Sequence, residues 1–153
     1  LYTMKKIFIL ICCFSLVFSS CEDDIRLNPD GFIEFNVDIN GSWTIDNVTQ
    51  NGVDITDRLN FQSFSLDLNY DGVNPSTFSI PNTSVPFGID FSSGSWTFDD
   101  LTYPTKLNFT DGGGNMVDVS LAEIPLLSNG NSLKVQFQLG CADNTYVYSF
   151  KKN

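Results

Sequence analysis

The chain has 153 residues, and its 18 acidic residues outnumber its 8 basic ones, so the formal net charge is −10. The length fits one domain, while 42% hydrophobic and 14% aromatic residues exclude a disordered chain, and 17% charged residues are too few for a coiled coil. The acidic balance argues against nucleic acid as a partner, and the absence of histidine removes the usual metal ligand and the usual general base.

Residues 1–20 have the layout of a secretory signal peptide. Lys5 and Lys6 supply the positive charge, and an apolar run follows over residues 7–18. That run is too short to span a bilayer, which needs about 20 residues. We therefore expect the first 20 residues to be removed from the mature protein.

The signal ends on Phe18-Ser19-Ser20-Cys21, which resembles a bacterial lipobox, although the common pattern has leucine in place of Phe18. The resemblance implies that Cys21 becomes the lipidated first residue of the mature chain. The alternative is an ordinary signal peptide with a coincidental cysteine. The attached acyl chains would hold the protein on the membrane, since a strongly negative surface repels anionic head groups.

The acidic run Glu22-Asp23-Asp24 resembles an export signal that some Gram-negative bacteria use to place lipoproteins on the outer leaflet. The alternative is a solvated tether. We expect residues 21–31 to form an acidic linker. The predicted location is the outer membrane of a Gram-negative bacterium, with the lipid-anchored protein on the cell surface or the periplasmic face.

The rest of the chain, residues 32–153, is predicted to be one domain of short β-strands, because apolar and polar residues alternate in runs separated by Asn-Gly, Asp-Gly and similar turns. In chain order the predicted strands are 33–39, 43–46, 64–70, 78–80, 96–98, 107–110, 117–121, 133–139 and 146–150. One helical turn is predicted over 54–59. Hairpin-length connections favour an all-β, antiparallel up-and-down barrel, since closure removes exposed strand edges. A β-sandwich is the alternative.

Several sequence blocks resemble a family of small lipocalin-like outer-membrane lipoproteins of uncharacterised function. Gly41-Ser42-Trp43 is similar to the Gly-x-Trp that opens the lipocalin barrel, where the tryptophan plugs the closed end. The turn Asn51-Gly52, the alternating residues 64–68 and the block 94–107 add to the likeness. The resemblance implies a lipocalin-like barrel without assigned catalytic residues. The run over 33–39 lies outside the basic barrel and is expected to be an added edge strand or a plug.

No residue pattern indicates catalysis. Nucleophilic catalysis needs a base beside a serine or cysteine, and Lys106 and Lys134 are the only amines on predicted strands. Asp99 and Asp100 would point to opposite faces of an extended strand and cannot act as a glycosidase pair. The segment 111–115 supplies too few oxygen ligands for calcium and is predicted to be a turn. We expect no enzymatic activity, no cofactor and no metal site.

The cysteines do not predict a disulfide. Cys12 and Cys13 would leave with the signal peptide and Cys21 would carry lipid, so Cys141 would remain alone. Because no basic residue is adjacent, Cys141 is expected to be a buried, inert thiol.

The aromatic residues are the main indication of function. A barrel interior lined by aromatic side chains could hold a small apolar or glycan ligand; the proposed lining residues are Trp43, Phe64, Tyr70, Phe78, Trp96, Phe98, Phe137, Tyr146 and Tyr148. In the alternative, these rings fill a small barrel, and the protein is an accessory subunit that docks on an outer-membrane complex. An internal cavity of about 300 Å³ or more would favour ligand binding.

Overall fold

The structure is a computed structural model that describes residues 37–125 and 131–153. The predicted signal peptide, Cys21 and the acidic linker lie outside the described residues. The strands are β1 (Gly41–Gln50), β2 (Val53–Asp54), β3 (Ser65–Asp71), β4 (Asn74–Ser79), β5 (Ser93–Phe98), β6 (Lys106–Thr110), β7 (Met116–Leu121), β8 (Ser132–Gln138) and β9 (Thr145–Lys152). A 3-10 helix spans Phe61–Ser63. Among these residues, no helix has the length and apolar character needed to cross a membrane.

The sheet closes on itself as an antiparallel up-and-down barrel, which confirms the predicted fold class. The strand order is β2-β1-β3-β4-β5-β6-β7-β8-β9, and β1 also pairs with β9. The start of β1 pairs with β3, and almost its whole length pairs with β9. The short β2 is a hairpin arm on the end of β1, so eight of the nine strands form the barrel. A register shift between Ile45 and Asn47 bends β1 at this closing pair.

One end of the barrel, which we call the closed end, is covered by residues 37–40 where the chain enters β1. Val37 and Ile39 are buried. The indole Nε1 of Trp43 donates a hydrogen bond to the Ile39 carbonyl at 2.9 Å, and the Tyr70 hydroxyl donates to the Val37 carbonyl at 2.9 Å. Of the two alternatives expected for the run 33–39, the structure has the plug over 37–39 and no edge strand there; residues 33–36 lie outside the described part.

Apolar and polar residues alternate along the strands, so every second side chain is apolar and points toward the barrel axis. In β1, Trp43 and Ile45 are buried, and in β8, Leu133, Val135 and Phe137 are buried. Burying one such side chain contributes about 1.5–3 kcal/mol. The described residues contain no buried polar or charged side chain. The hydrophobic effect on these inward faces therefore supplies the main driving force for closure.

A connection that the sequence did not reveal fills the other end of the barrel. Residues 80–92, which we call the inserted loop, join β4 to β5 and bury Val85, Phe87 and Ile89 at alternate positions. Gly88 allows this close approach, because a Cβ atom there would lie 3.0 Å from the Cβ of Phe137. The loop thus occupies the volume that an open lipocalin-like barrel would leave for a ligand.

Two local expectations differ from the structure. No helix forms over 54–59: residues 53–54 are β2, a single turn closed by the Arg58 amide on the Ile55 carbonyl follows, and the 3-10 helix begins later, at Phe61. Cys141 is exposed rather than buried, since it lies in the turn between β8 and β9. Turn residues face solvent because their backbone groups need water as a partner.

Candidate ligand-binding site

The nine predicted lining residues are brought together inside the barrel. Seven are buried, with exposed fractions between 0 and 8%: Trp43, Phe64, Phe78, Trp96, Phe98, Phe137 and Tyr148. Tyr70 and Tyr146 are partly buried and pack against the same core. Several of their rings contact one another directly; Trp96, for example, lies 5.2 Å from Phe98 and 5.5 Å from Tyr70 between ring centroids.

The inserted loop fills the space between these rings. The ring of Phe87 lies within 5.1–6.4 Å of five others, those of Phe64, Phe109, Phe137, Tyr148 and Phe150. An internal cavity would give its lining residues accessible surface, yet Phe109 and Tyr148 are 0% exposed. The described interior is therefore packed, and ligand contact by the seven buried rings stays a prediction.

A polar contact also joins the inserted loop to this core. The hydroxyl of Tyr148 donates a hydrogen bond to the carbonyl of Pro86 at 2.5 Å. Burial raises the pKa of the Tyr148 phenol above its ordinary value, and the neighbouring Tyr146 raises it further. The phenol therefore stays protonated and keeps donating to the loop at neutral pH.

The end of the barrel opposite the closed end, which we call the mouth, holds a cleft of about 350 Å³. The mouth cleft is lined by Gln50, Ile55, Arg58, Leu59, Phe61, Pro86 and Tyr146. Its volume lies near the lower end of the range for ligand pockets, about 300–1,000 Å³. Of the nine predicted lining residues, only Tyr146 borders it. This cleft thus lies at the rim of the barrel and not among the other eight predicted residues.

The connection from β1 to β3 builds one wall of the mouth cleft. Asn51 and Gly52 have positive φ angles of 49° and 78°, which the tight Asn-Gly turn requires. Beyond β2, the amide of Ile55 donates to the Val48 carbonyl at 2.9 Å. The amide of Arg58 then donates to the Ile55 carbonyl at 2.8 Å. These bonds fold the chain back over the end of β1 and fix the backbone from which Arg58 projects.

Asp54, one of two acidic residues in this connection, is occupied by local hydrogen bonds. The amide of Thr56 donates to its carboxylate at 2.9 Å and the Thr56 hydroxyl at 2.7 Å. Asn47 donates to the same carboxylate at 3.1 Å. The bonds from Thr56 lower the pKa of Asp54 most. This carboxylate therefore stabilises the turn as an anion.

Two smaller clefts accompany the mouth cleft. One, of about 240 Å³, runs along the inserted loop and is bordered by Phe64. The other, of about 170 Å³, lies at the closed end and is bordered by Tyr70. Both are smaller than the usual ligand pocket. The mouth cleft is the best candidate of the three.

The carboxylates weighed for catalysis or metal binding serve as turn caps. Asp99 accepts hydrogen bonds from the amides of Thr105 and Lys106 at 2.9 Å each. Asp111 accepts from the amides of Gly113 and Asn115 at 2.7 and 2.9 Å. Over residues 37–125 and 131–153, no three acidic or cysteine side chains are placed to share a metal ion.

Sequence patterns did not identify Arg58, Leu59 and Phe61 as lining residues. They lie in a stretch without alternation, and folding alone brings them next to Tyr146 of β9. One available signal was the exposed Leu59, which is 53% accessible in a polar loop. Single exposed apolar residues are common, however, and seldom mark a site on their own.

Comparison with known proteins gives a family match. The family described as Domain of unknown function (DUF5004) matches residues 20–151. No curated protein and no solved structure matches the chain.

Proposed function

The chain belongs to the DUF5004 family, and we propose that it is a lipid-anchored cell-envelope lipoprotein that binds a small apolar or glycan ligand. The proposed site is the mouth cleft. The observation that carries this proposal is a cleft of about 350 Å³ on the rim of a closed barrel, lined by apolar and aromatic side chains with a few polar ones. That mixture is typical of ligand pockets, in which apolar walls give affinity and polar groups give orientation.

Binding can be tested with N-phenyl-1-naphthylamine, a dye whose fluorescence rises in an apolar site. We expect the protein to enhance the fluorescence and Leu59→Asp to weaken the effect, because a carboxylate in the cleft opposes apolar contact. Leu101→Asp is the matched control, since Leu101 is 49% exposed and lies in the β5–β6 loop at the closed end. Equal binding by both variants would place the dye elsewhere and refute the site.

The lipid anchor is supported by the residues 18–24 alone. The lipobox-like segment ends at Cys21, and an acidic run follows it. Metabolic labelling with palmitate tests the anchor: Cys21→Ala should lose the label, and the control Cys141→Ala should keep it. Label that persists in Cys21→Ala would reject the assignment. Surface proteolysis of intact cells would then distinguish the cell surface from the periplasmic face.

The second candidate is an accessory subunit that docks on an outer-membrane protein complex without a small ligand. The packed interior around Phe87 favours it, since no room is left there for a guest. Native mass spectrometry of protein purified from its own cells separates the two. Ligand binding predicts the chain plus one small, constant mass, whereas the accessory role predicts the bare chain and a stoichiometric complex with a partner protein.

A further inference from the structure

We infer that the mouth cleft selects ligands with an anionic head group on an apolar body, and that Arg58 binds the head group. This inference rests on the proposed function, because it assigns a ligand class to the same cleft. Arg58 is the only arginine in residues 37–125 and 131–153, and it lines the cleft together with Ile55 and Leu59. A cation beside apolar walls matches an amphiphile whose charge sits at one end.

The guanidinium of Arg58 is available for a ligand. Within the described ranges it forms no ion pair, while the other basic residues are all engaged: Lys106, Lys134 and Lys151 pair with acidic side chains, and Lys152 lies over the ring of Trp43. Two acids lie in the same connection: Asp54 is satisfied by Thr56, and Asp57 precedes Arg58 directly but forms no ion pair with it within the described ranges. An uncompensated cation is unusual on a chain with a net charge of −10. A bound anion would give the Arg58 guanidinium the ion pair that it lacks.

The apolar part of the ligand would lie between the two walls of the cleft. Ile55 and Leu59 come from the β1–β3 connection, Pro86 from the inserted loop and Tyr146 from β9. Contact with these side chains removes apolar surface from water without requiring the inserted loop to move. The guanidinium provides a planar fork of donors that fits a carboxylate with two parallel hydrogen bonds.

Three ten-carbon probes with different head groups test the inference by isothermal titration calorimetry: decanoate, 1-decanol and decylammonium. We expect decanoate to bind about tenfold more tightly than 1-decanol, as charge-assisted hydrogen bonds would provide, and decylammonium to bind most weakly. Arg58→Gln should remove the preference for decanoate, and Arg58→Lys should restore part of it. Added salt should weaken decanoate binding but leave 1-decanol binding unchanged.

Lys106→Gln is the matched control, because it removes one positive charge at the closed end and leaves the mouth intact. Since the Arg58 side chain is exposed, Arg58→Gln should keep the fold, which far-UV circular dichroism can verify. Binding of all three probes with equal affinity, or a decanoate preference that survives in Arg58→Gln, would overturn the inference and leave the proposed function standing. Failure of every probe to bind would overturn both.

Discussion

Replacement of Phe87 by alanine should destabilise the barrel more than any ordinary loop substitution. The ring is only 6% exposed, and it meets rings from strands on different sides of the barrel: Phe109 on β6, Phe137 on β8 and Phe150 on β9. Truncating a buried phenylalanine typically costs about 3–5 kcal/mol, from lost transfer energy and from the cavity left behind. That is a large part of the total stability of a small domain, about 5–15 kcal/mol.

Urea unfolding followed by tryptophan fluorescence measures the effect, because Trp43 and Trp96 are both buried in the native state. With a slope of about 1–3 kcal/mol per molar urea, the midpoint should fall by about 1 M or more. Thr83→Ala, an exposed position in the same loop, should change stability by less than about 0.5 kcal/mol. A loss below about 1 kcal/mol for Phe87→Ala would show that the loop is not part of the core.

Three further predictions concern titration and close packing. Burial raises the pKa of Tyr70 to about 12. The stability that this phenol contributes should therefore be complete below pH 10 and decline as the pH rises toward 12. Between pH 9 and pH 11, the free energy of urea unfolding should decline less in Tyr70→Phe than in the unaltered protein. Partial desolvation raises the pKa of Asp99, but hydrogen bonds within its loop outweigh that effect and lower the pKa to about 2. The stability that the Asp99 carboxylate contributes should therefore disappear as the pH falls from about 4 to 2. Over this range the melting temperature of Asp99→Asn should change less than that of the unaltered protein. A Cβ atom at Gly94 would lie 2.0 Å from the carbonyl oxygen of Thr110, so Gly94→Ala should cost at least about 1–3 kcal/mol in chemical denaturation, whereas Gly112→Ala, where no atom lies within 4 Å, should cost little.

The strands could be predicted because their signal is local. The alternation over 107–110 and 133–139 corresponds to β6 and β8 within one residue at each end. Closure followed from the edge argument, since an open sheet would leave two unpaired strands. The pair Gly41 and Trp43 placed the closed end correctly, because a glycine with φ of 135° and a fully buried indole are both needed where the chain turns into β1.

Alternation alone left the plug as one of two alternatives and did not reveal the inserted loop. Residues 37–39 and 85–91 both alternate, but they lie across the barrel ends instead of joining the sheet. Pro81 and Pro86 were the available signal, since proline cannot donate to a ladder and disfavours an interior strand. Which of these segments enters the barrel is decided by tertiary contacts that no short sequence window contains.

The same loop explains why a ligand at the rim is energetically easier to accommodate than one inside. A guest in the interior would have to displace Phe87, and removing that ring from its contacts costs about 3–5 kcal/mol, which corresponds to a factor of about 100 to 4,000 in apparent affinity. The guest would also break the hydrogen bond from the Tyr148 hydroxyl to the Pro86 carbonyl. The phenol of Tyr148 would then remain buried without a partner. The mouth cleft requires neither change, because Arg58 and Tyr146 already border it with the loop in place. Binding that is unaffected by Leu59→Asp but strengthened by Phe87→Ala would reverse this conclusion, since it would locate the ligand in the interior.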